Sequence, residues 1–523
     1  MDVDVAVVGA GLAGTAVVRE LARRGARVAL FEARDLAWAG SAAAFGTIDT
    51  GDLTLDPFTD AALELARTDR ERETSIALVT APHLAARVPV LALAPARDRG
   101  RSMLARWDAL LALRARDGHA SDRAVLDGAA AREREPGLRV EDEHGALITT
   151  RLRFDAHRLA LAWARDAEEN GAEIALGSNV EAIEPIAGGA RLSLRGAGAA
   201  ERALTARAVV LAVGAWSAPG SPAQRPRERR VHLVLEHALT QHAIVLDGGE
   251  SLVPFHGISV VTSAAAPYEG APDHGGVHTS EARALLAKIA ARLPDVRDVR
   301  VVDAYASVRR LVTGETAPPI YEVPVGRPWT ARARGEEVGL RIAKALGIGA
   351  SSTAVTTSHA RVPGGEEVTD SFLVAERMSV PEATARRLVL RHGARCLEIG
   401  GRLTKQRVES AVVCACEPVL EAELRHAVRA EHARSTSDVA RRTRLGLGPC
   451  GGMRCAQRAS QIVCQERGLS SRDAHAMTAA FLGERWRARS AVLDAELLAQ
   501  EELALARWTA SGLGLPEDEE PHG

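Results

Sequence analysis

Four of the six cysteines in this 523-residue chain fall into two tight pairs, Cys414-x-Cys416 and Cys450-x4-Cys455, with thirty-three residues between the pairs. Thiols spaced like this can be joined in disulfides, can hold zinc, or can hold an iron–sulfur centre. Zinc knuckles usually use C-x2-C or C-x4-C halves, so the C-x-C half suits zinc badly. EAELRHAVRAEH and TSDVARRTRLGLG, between the pairs, read as two short helices, the second capped by Ser437 or Asp438. CAQRASQIVCQERG reads as a third helix, which places both pairs at helix starts, where backbone amides can donate to sulfur. Arg441, Arg442, Arg444, Arg454 and Arg458 crowd the same stretch. Amide donors and nearby cations are means of stabilising the negative charge of a four-thiolate [2Fe–2S] cluster. These features favour such a cluster on Cys414, Cys416, Cys450 and Cys455 over zinc and over unliganded thiols. Cys396 and Cys464 stand apart and read as ordinary buried thiols.

A second constellation opens the chain. VDVAVVG (3–9) is a β-branched run ending in Gly, which reads as a buried parallel strand. GAGLAG (9–14) then leads into a helical stretch that stops at Gly25, and ARVALFE (26–32) gives a second strand ending on Glu32. A G-x-G-x-x-G placed between a strand and a helix, with an acid about twenty residues on, is the fingerprint of a dinucleotide site. Gly9 permits the tight turn, Gly11 lets the backbone approach a pyrophosphate, and Gly14 lets helix and strand pack closely. The helix N-terminus supplies amide donors, and Glu32 would accept from the adenosine ribose. FAD or NAD fits this motif. The second half of such a domain returns late, as the helix DAHRLALAWARDAEENG (155–171), the strand EIALG and the run ARAVVLAVGAWS (206–217). That late return points to FAD in a glutathione-reductase type of fold, with Gly214, Ala215 and Trp216 closing over the adenosine side.

Composition narrows the class. The chain is 46% hydrophobic and 26% charged with a net charge of −2, which gives no reason to expect nucleic acid. No run approaches eighteen apolar residues, and the acidic start MDVDVAVVGAG is unlike a signal peptide. The expected location is cytoplasmic, peripheral at the inner face of the cell membrane only through a partner. Thiols stay reduced there, which argues against disulfides.

Residues 411–465 resemble the bacterioferritin-associated-ferredoxin-like [2Fe–2S] domain, whose cysteine spacing they reproduce. FLGERWR (481–487) and ARWTASGLGL (506–515) are similar to the tail of the A-subunit family of anaerobic glycerol-3-phosphate dehydrogenases, which joins an FAD domain to this module in one chain. The resemblance covers most of the sequence. RRVHLVL (229–235) is similar to the family's basic–Gly–x–His strand, which makes His232 a candidate base, or the base's helper, near substrate and flavin. LVPFHGISVVTSAAAPYEG (252–270) is similar to the strand–turn–strand that reaches the family's threonine-rich turn. YASVRRLV (305–312) is similar to the segment whose arginine contacts the substrate phosphate, a role that carries to Arg309. A guanidinium fork matches phosphate oxygens in a way Lys cannot.

Two stretches depart from that family. In DLAWAGSAAAFGTIDTGDL (35–53) the Ser and Arg positions are mostly Ala, and Asp49 stands where the family has His. In VGRPWTARARGEE (325–337) Arg327 replaces the family's Lys, and the segment before it is shortened. The resemblance implies oxidation of glycerol 3-phosphate to dihydroxyacetone phosphate, with electrons passing singly through the cluster to partner subunits and quinone. The departures leave two alternatives: a dehydrogenase of another small hydroxy or amino acid, or a catalytically weakened electron-transfer subunit.

The expected architecture is α/β. Residues 1–345 form an FAD-dependent oxidoreductase domain, with a Rossmann-like part built from 1–50, 140–220 and 300–345. An antiparallel substrate-side sheet spans about 225–300, and 51–135 reads as a helical insertion. A small helical domain (346–410), the cluster module (411–465) and a helical tail (466–523) follow. VLDAELLAQEELALARW in the tail reads as packing on its own chain rather than on a partner, and the acidic PEDEEPHG reads as disordered.

Overall fold

The computed structural model describes residues 1–510 apart from 45, 50–60, 96, 117–122, 142–144, 197–200, 218, 220–224, 274–275, 312–315, 325–326, 350–355, 404–409 and 494. The Val-rich run Val3–Val8 is a strand with Val28–Glu32 parallel on one side and Glu201–Leu211 parallel on the other. Glu173–Leu176 extends the parallel arrangement beyond Val28–Glu32, and Ile320–Glu322 pairs with the end of Glu201–Leu211. Gly189–Arg195 and Asn179–Ile186 complete seven strands as an antiparallel edge. Val5, Ala6 and Val7 are wholly buried, as strands covered on both faces require. The helix Leu12–Arg23 packs between Ala156–Glu169 and Ala331–Leu346. Its approach to the last is close enough that a Cβ on Gly335 would lie 2.6 Å from that of Ala16.

The second sheet is larger than 225–300. It has nine strands, and Arg227–Leu235 pairs with Ile258–Thr262, Ala266–Tyr268 and Val301–Arg310. Ala85–Leu93 and Ala124–Asp127, inside the stretch read as a helical insertion, also belong to it, as does Gly145–Phe154. The helical reading of 51–135 is therefore corrected to helices Ala61–Thr80, Arg97–Arg116 and Gly128–Arg134 with two strands between them. The cause is composition. Ala and Arg are strong helix formers, and in AARVPVLAL they mask a period-two pattern in which Val88 and Val90 are buried while Arg87 and Pro89 are exposed.

Three helices, Ser371–Met378, Glu382–His392 and Cys396–Leu403, follow as expected. A small hairpin, Val412–Cys414 with Val419–Leu420, leads to helices Glu421–Ala430, Thr436–Thr443 and Ala456–Arg467. Ser435 caps the second of these, with Asp438 closing the capping box, two positions earlier than Ser437. Helices Ser471–Ser490 and Ala495–Ala510 end the described chain. The last has no buried residue, but Trp508 packs half-buried against the core of the cysteine module and donates from Nε1 to Met453 Sδ at 2.8 Å. PEDEEPHG and most of the 35–53 departure beyond Asp49 lie outside the described residues. Among those described, no helix is long and apolar enough to cross a membrane.

Charged residues join the C-terminal helices to the first sheet. Asp35, just past Val28–Glu32, accepts from Arg442 Nη1 and Nη2 at 2.8 Å each and from Arg441 Nη2 at 3.1 Å. Burial opposes its ionisation, but these guanidiniums win and hold its carboxyl well below the usual range. Burial also pushes the imidazoles of His83, His157 and His232 down to about 3 and that of His256 to about 2, helped by nearby arginines. Above the unfolded imidazole pKa of about 6.5 both states are neutral and full stability is present. Below it the unfolded chain takes up protons that the folded chain refuses, at a cost of about 1.4 kcal/mol per pH unit for each histidine. Denaturant melts are therefore expected to show stability falling steeply between roughly pH 6.5 and 5; a flat profile there would contradict the buried-neutral assignment.

Candidate functional site

The three loop glycines divide the work as their spacing predicts. Gly9 has φ +102°, and a Cβ on it would lie 2.6 Å from the Ala212 carbonyl oxygen. A Cβ on Gly14 would collide with the Gly9 carbonyl, so helix and strand could not pack. Gly11 meets only Ser41 Oγ, at 3.1 Å, and the Leu12 amide donates to the same oxygen at 3.0 Å. Glu32 accepts from the amides of Ala10 (2.9 Å) and Arg34 (2.8 Å), while burial raises its pKa. Gly214 takes φ +61°, and the Trp216 ring lies 5.5 Å from that of Trp38, which carries the Arg34 guanidinium 4.2 Å above it. Trp38 had no motif to announce it.

Gly9, Gly11, Glu32, Trp38, Gly214, Ala215 and Trp216 all line one cavity of about 650 Å³, a size suited to a cofactor with a small ligand. Gly14→Ala is expected to strip bound flavin from the purified chain at least tenfold. Flavin absorbance per chain measures it, and retention at the wild-type level would contradict the site.

The same cavity is lined by His232, Arg309 and Arg327, so it brings together three residues expected on the substrate side. Glu228, Arg230 and His232 alternate on one strand and share a face. Opposite them, in antiparallel register, stand Arg309, Ser307 and Tyr305. Sequence reading missed Glu228, Arg230 and Ser307; Ser307 had a signal in the alternation of Asp303, Tyr305, Ser307 and Arg309, but Glu228 and Arg230 sit in the continuous polar run Arg227–Arg230, which shows no face. Arg309 pairs with Glu228, which also lies 4.0 Å from Arg230. Arg327 pairs with the half-buried Asp49, which forms an ion pair with Arg70 as well, at 3.2 Å. The two departures, at 49 and 327, are thus partners of each other. His232 is buried, with Nδ1 3.1 Å from Thr262 Oγ1 and Nε2 2.7 Å from Ser307 Oγ, and its ring stacks on Tyr305 at 4.8 Å. Its low pKa comes first from burial and then from Arg230 and Arg229.

The cysteines form a separate centre. Cys414 ends the Val412–Cys414 strand and Cys416 lies in the hairpin turn, so the first pair is not at a helix start; Cys455 is the N-cap of Ala456–Arg467, as expected. Cys416 Sγ is 4.0 Å from Cys450 Sγ. The Cys414 thiol is pulled down to about 6, first by a hydrogen bond from Cys455 and then by the amides of Gly446, Glu417 and Cys416. The sulfurs therefore stand as two close pairs, 416 with 450 and 414 with 455. A Cβ on Gly448 would lie 2.8 Å from Cys416 Sγ and closer still to its Cβ, so glycine is required there.

Four of the five arginines noted in the sequence turn away to acids: Arg441 and Arg442 to Asp35, Arg444 to Glu417 and Arg458 to Glu421. Cys396 and Cys464 are buried apart. Among the described residues, His392, His426 and Glu431 also place ligand atoms within 4.8 Å of one another. Arg158, however, already occupies both His392 Nδ1 (3.0 Å) and Glu431 (2.9 Å), which makes this trio an ion-pair network.

Residues 4–360 match the family described as FAD dependent oxidoreductase, and residues 355–474 match the C-terminal domain of alpha-glycerophosphate oxidase. The chain is 27% identical to the A subunit of anaerobic glycerol-3-phosphate dehydrogenase from Escherichia coli (strain K12), over 99% of this chain and 98% of that one. Its counterpart in Haemophilus influenzae is 25% identical over 98% and 94%. The glycerol-3-phosphate dehydrogenase of Bacillus halodurans complexed with FAD has the same fold, with a TM-score of 0.74 and 18% identity over 94% of this chain and 96% of that one.

Proposed function

Because the chain belongs to the FAD dependent oxidoreductase family, we propose that it is a dehydrogenase of glycerol 3-phosphate whose electrons leave through a [2Fe–2S] cluster to partner subunits and membrane quinone. The observation that carries this reading is the joining of a dinucleotide loop and an arginine cluster by one cavity. FAD, when bound, supplies an acceptor for two electrons from the substrate carbon. Amides at the start of Leu12–Arg23 bind the pyrophosphate, and Glu32 holds the ribose. Arg309, with Arg230 and Arg327 beside it, binds the substrate phosphate and so fixes the neighbouring secondary alcohol.

His232 is the candidate proton acceptor, reached through Ser307 Oγ at Nε2. Burial is what chiefly keeps this imidazole neutral, and a phosphate dianion beside Arg230 would cancel part of the smaller positive field that adds to it, so substrate binding pushes its basicity up. The four thiolates fit a cluster better than a single zinc ion, because the C-x-C half of the set suits a zinc knuckle badly. Cys416 is exposed, which leaves one side of the centre open to an acceptor. The relatives are named as one component of a larger enzyme, which supports partner subunits, and the chain is read as cytoplasmic, reaching the membrane through them.

The Asp49–Arg327 and Glu228–Arg309 pairs favour a second reading, a substrate without phosphate, since each arginine already has a carboxylate. Rates with a dye acceptor separate the two. Glycerol 3-phosphate is expected to be oxidised with a kcat/KM at least a hundredfold above that of glycerol or of any small amino acid; an amino acid or unphosphorylated hydroxy acid that wins would establish the second reading.

A further inference from the structure

Arg489 lies on Ser471–Ser490, outside the cysteine module, yet it is only 1% exposed and reaches the loop between Cys450 and Cys455. Its Nη2 donates to the Pro449 carbonyl at 2.9 Å and pairs with Glu501. Its Nε and Nη1 are buried without a hydrogen-bond partner among the described residues. A Cβ on Gly451 would collide with Nη1 and fall 2.9 Å from Cζ, so the guanidinium lies directly on the loop backbone. Gly451 has φ +59°, a conformation that also favours glycine. The charges around Arg489 are those of Glu501 and Cys450, which attract it, and of Arg485 and Arg300, which repel it. No hydrogen bond joins these donors to a described sulfur, so what the buried guanidinium brings to the loop is its charge.

We infer that Arg489 is a positioning residue for the thiolate-held centre, lending the loop that carries Cys450 and Cys455 a fixed, buried positive charge that raises the centre's reduction potential. The inference rests on the [2Fe–2S] reading of the four cysteines. The reduced form of such a centre carries one more negative charge than the oxidised form, so a nearby cation stabilises it more. Glu501, bound to the guanidinium through Nη2, tempers that effect. Of the arginines near the cysteines in sequence, Arg441, Arg442, Arg444 and Arg458 pair with Asp35, Glu417 and Glu421, none of which lies on the 450–455 loop, whereas Arg489 lies against the backbone of that loop.

Potentiometric titration of the purified full chain, followed by electron paramagnetic resonance, tests this with two variants of opposite sign. Arg489→Gln is expected to shift the one-electron reduction equilibrium about tenfold towards the oxidised form, about 59 mV more negative. Glu501→Gln is expected to shift it the other way, and Arg489→Lys to fall between wild type and Arg489→Gln. Iron-containing wild type with both Gln variants titrating at its potential would overturn the inference while leaving the cluster standing. Wild type without iron would remove the cluster reading and this inference with it. If Arg489→Gln fails to hold iron, the upward shift of Glu501→Gln decides alone.

Discussion

Cys414→Ser is expected to lower iron and acid-labile sulfide per chain at least tenfold while leaving flavin content unchanged. Cys414 is buried, its sulfur is held by a hydrogen bond from Cys455 and by three backbone amides, and no other described cysteine can take its place. A serine oxygen is a harder and far less acidic ligand than thiolate, so the pairing of 414 with 455 is lost as an iron site. The flavin cavity is lined by different residues, so substrate should still bleach the flavin while reduction of an acceptor beyond the cluster stops. Cys464→Ser is the control: that thiol is buried away from the two pairs, with its S–H 3.8 Å from Met477 Sδ, and its replacement should leave iron content as it was. Equal iron in wild type and Cys414→Ser would contradict the assignment of the ligands.

Arg309→Ala is expected to lower kcat/KM for glycerol 3-phosphate by roughly a hundredfold, mostly through KM. Charge-assisted hydrogen bonds contribute about 1.5–3 kcal/mol each, and a tenfold loss corresponds to about 1.4 kcal/mol, so loss of one bidentate contact accounts for that factor. The remaining Arg230 would still neutralise Glu228, which keeps the free pocket intact. Arg309→Lys should recover only part of the loss, because a point charge lacks the fork. A measured effect below threefold, or one confined to kcat, would move the phosphate contact to Arg327.

The parts of this molecule that could be read in its sequence are those encoded at short spacing. Gly9, Gly11, Gly14 and Glu32 sit within one strand–helix–strand unit, so their geometry follows from local rules, whereas the spacing of the cysteines marks them as a set without showing that Cys416 neighbours Cys450 or that the first pair lies in a hairpin. The strand Ala85–Leu93 could not be read because its polar positions are Arg and its small apolar ones Ala, both of which also suit a helix. Ser435 rather than Ser437 caps its helix because Asp438, three residues on, returns the hydrogen bond. The Asp49–Arg327 pair, the Asp35 contact to Arg442 and the reach of Arg489 to Gly451 join residues far apart in the chain. No local period announces such contacts; tertiary packing alone makes them.

In the proposed function one chain couples substrate oxidation at a flavin to a cluster on its four paired cysteines. The most direct test is the visible absorption spectrum of anaerobically purified protein before and after glycerol 3-phosphate is added. Bleaching of both flavin and iron–sulfur bands, in the ratio of two substrate electrons shared between them, is the predicted result. Both chromophores present and unchanged by this substrate would contradict it.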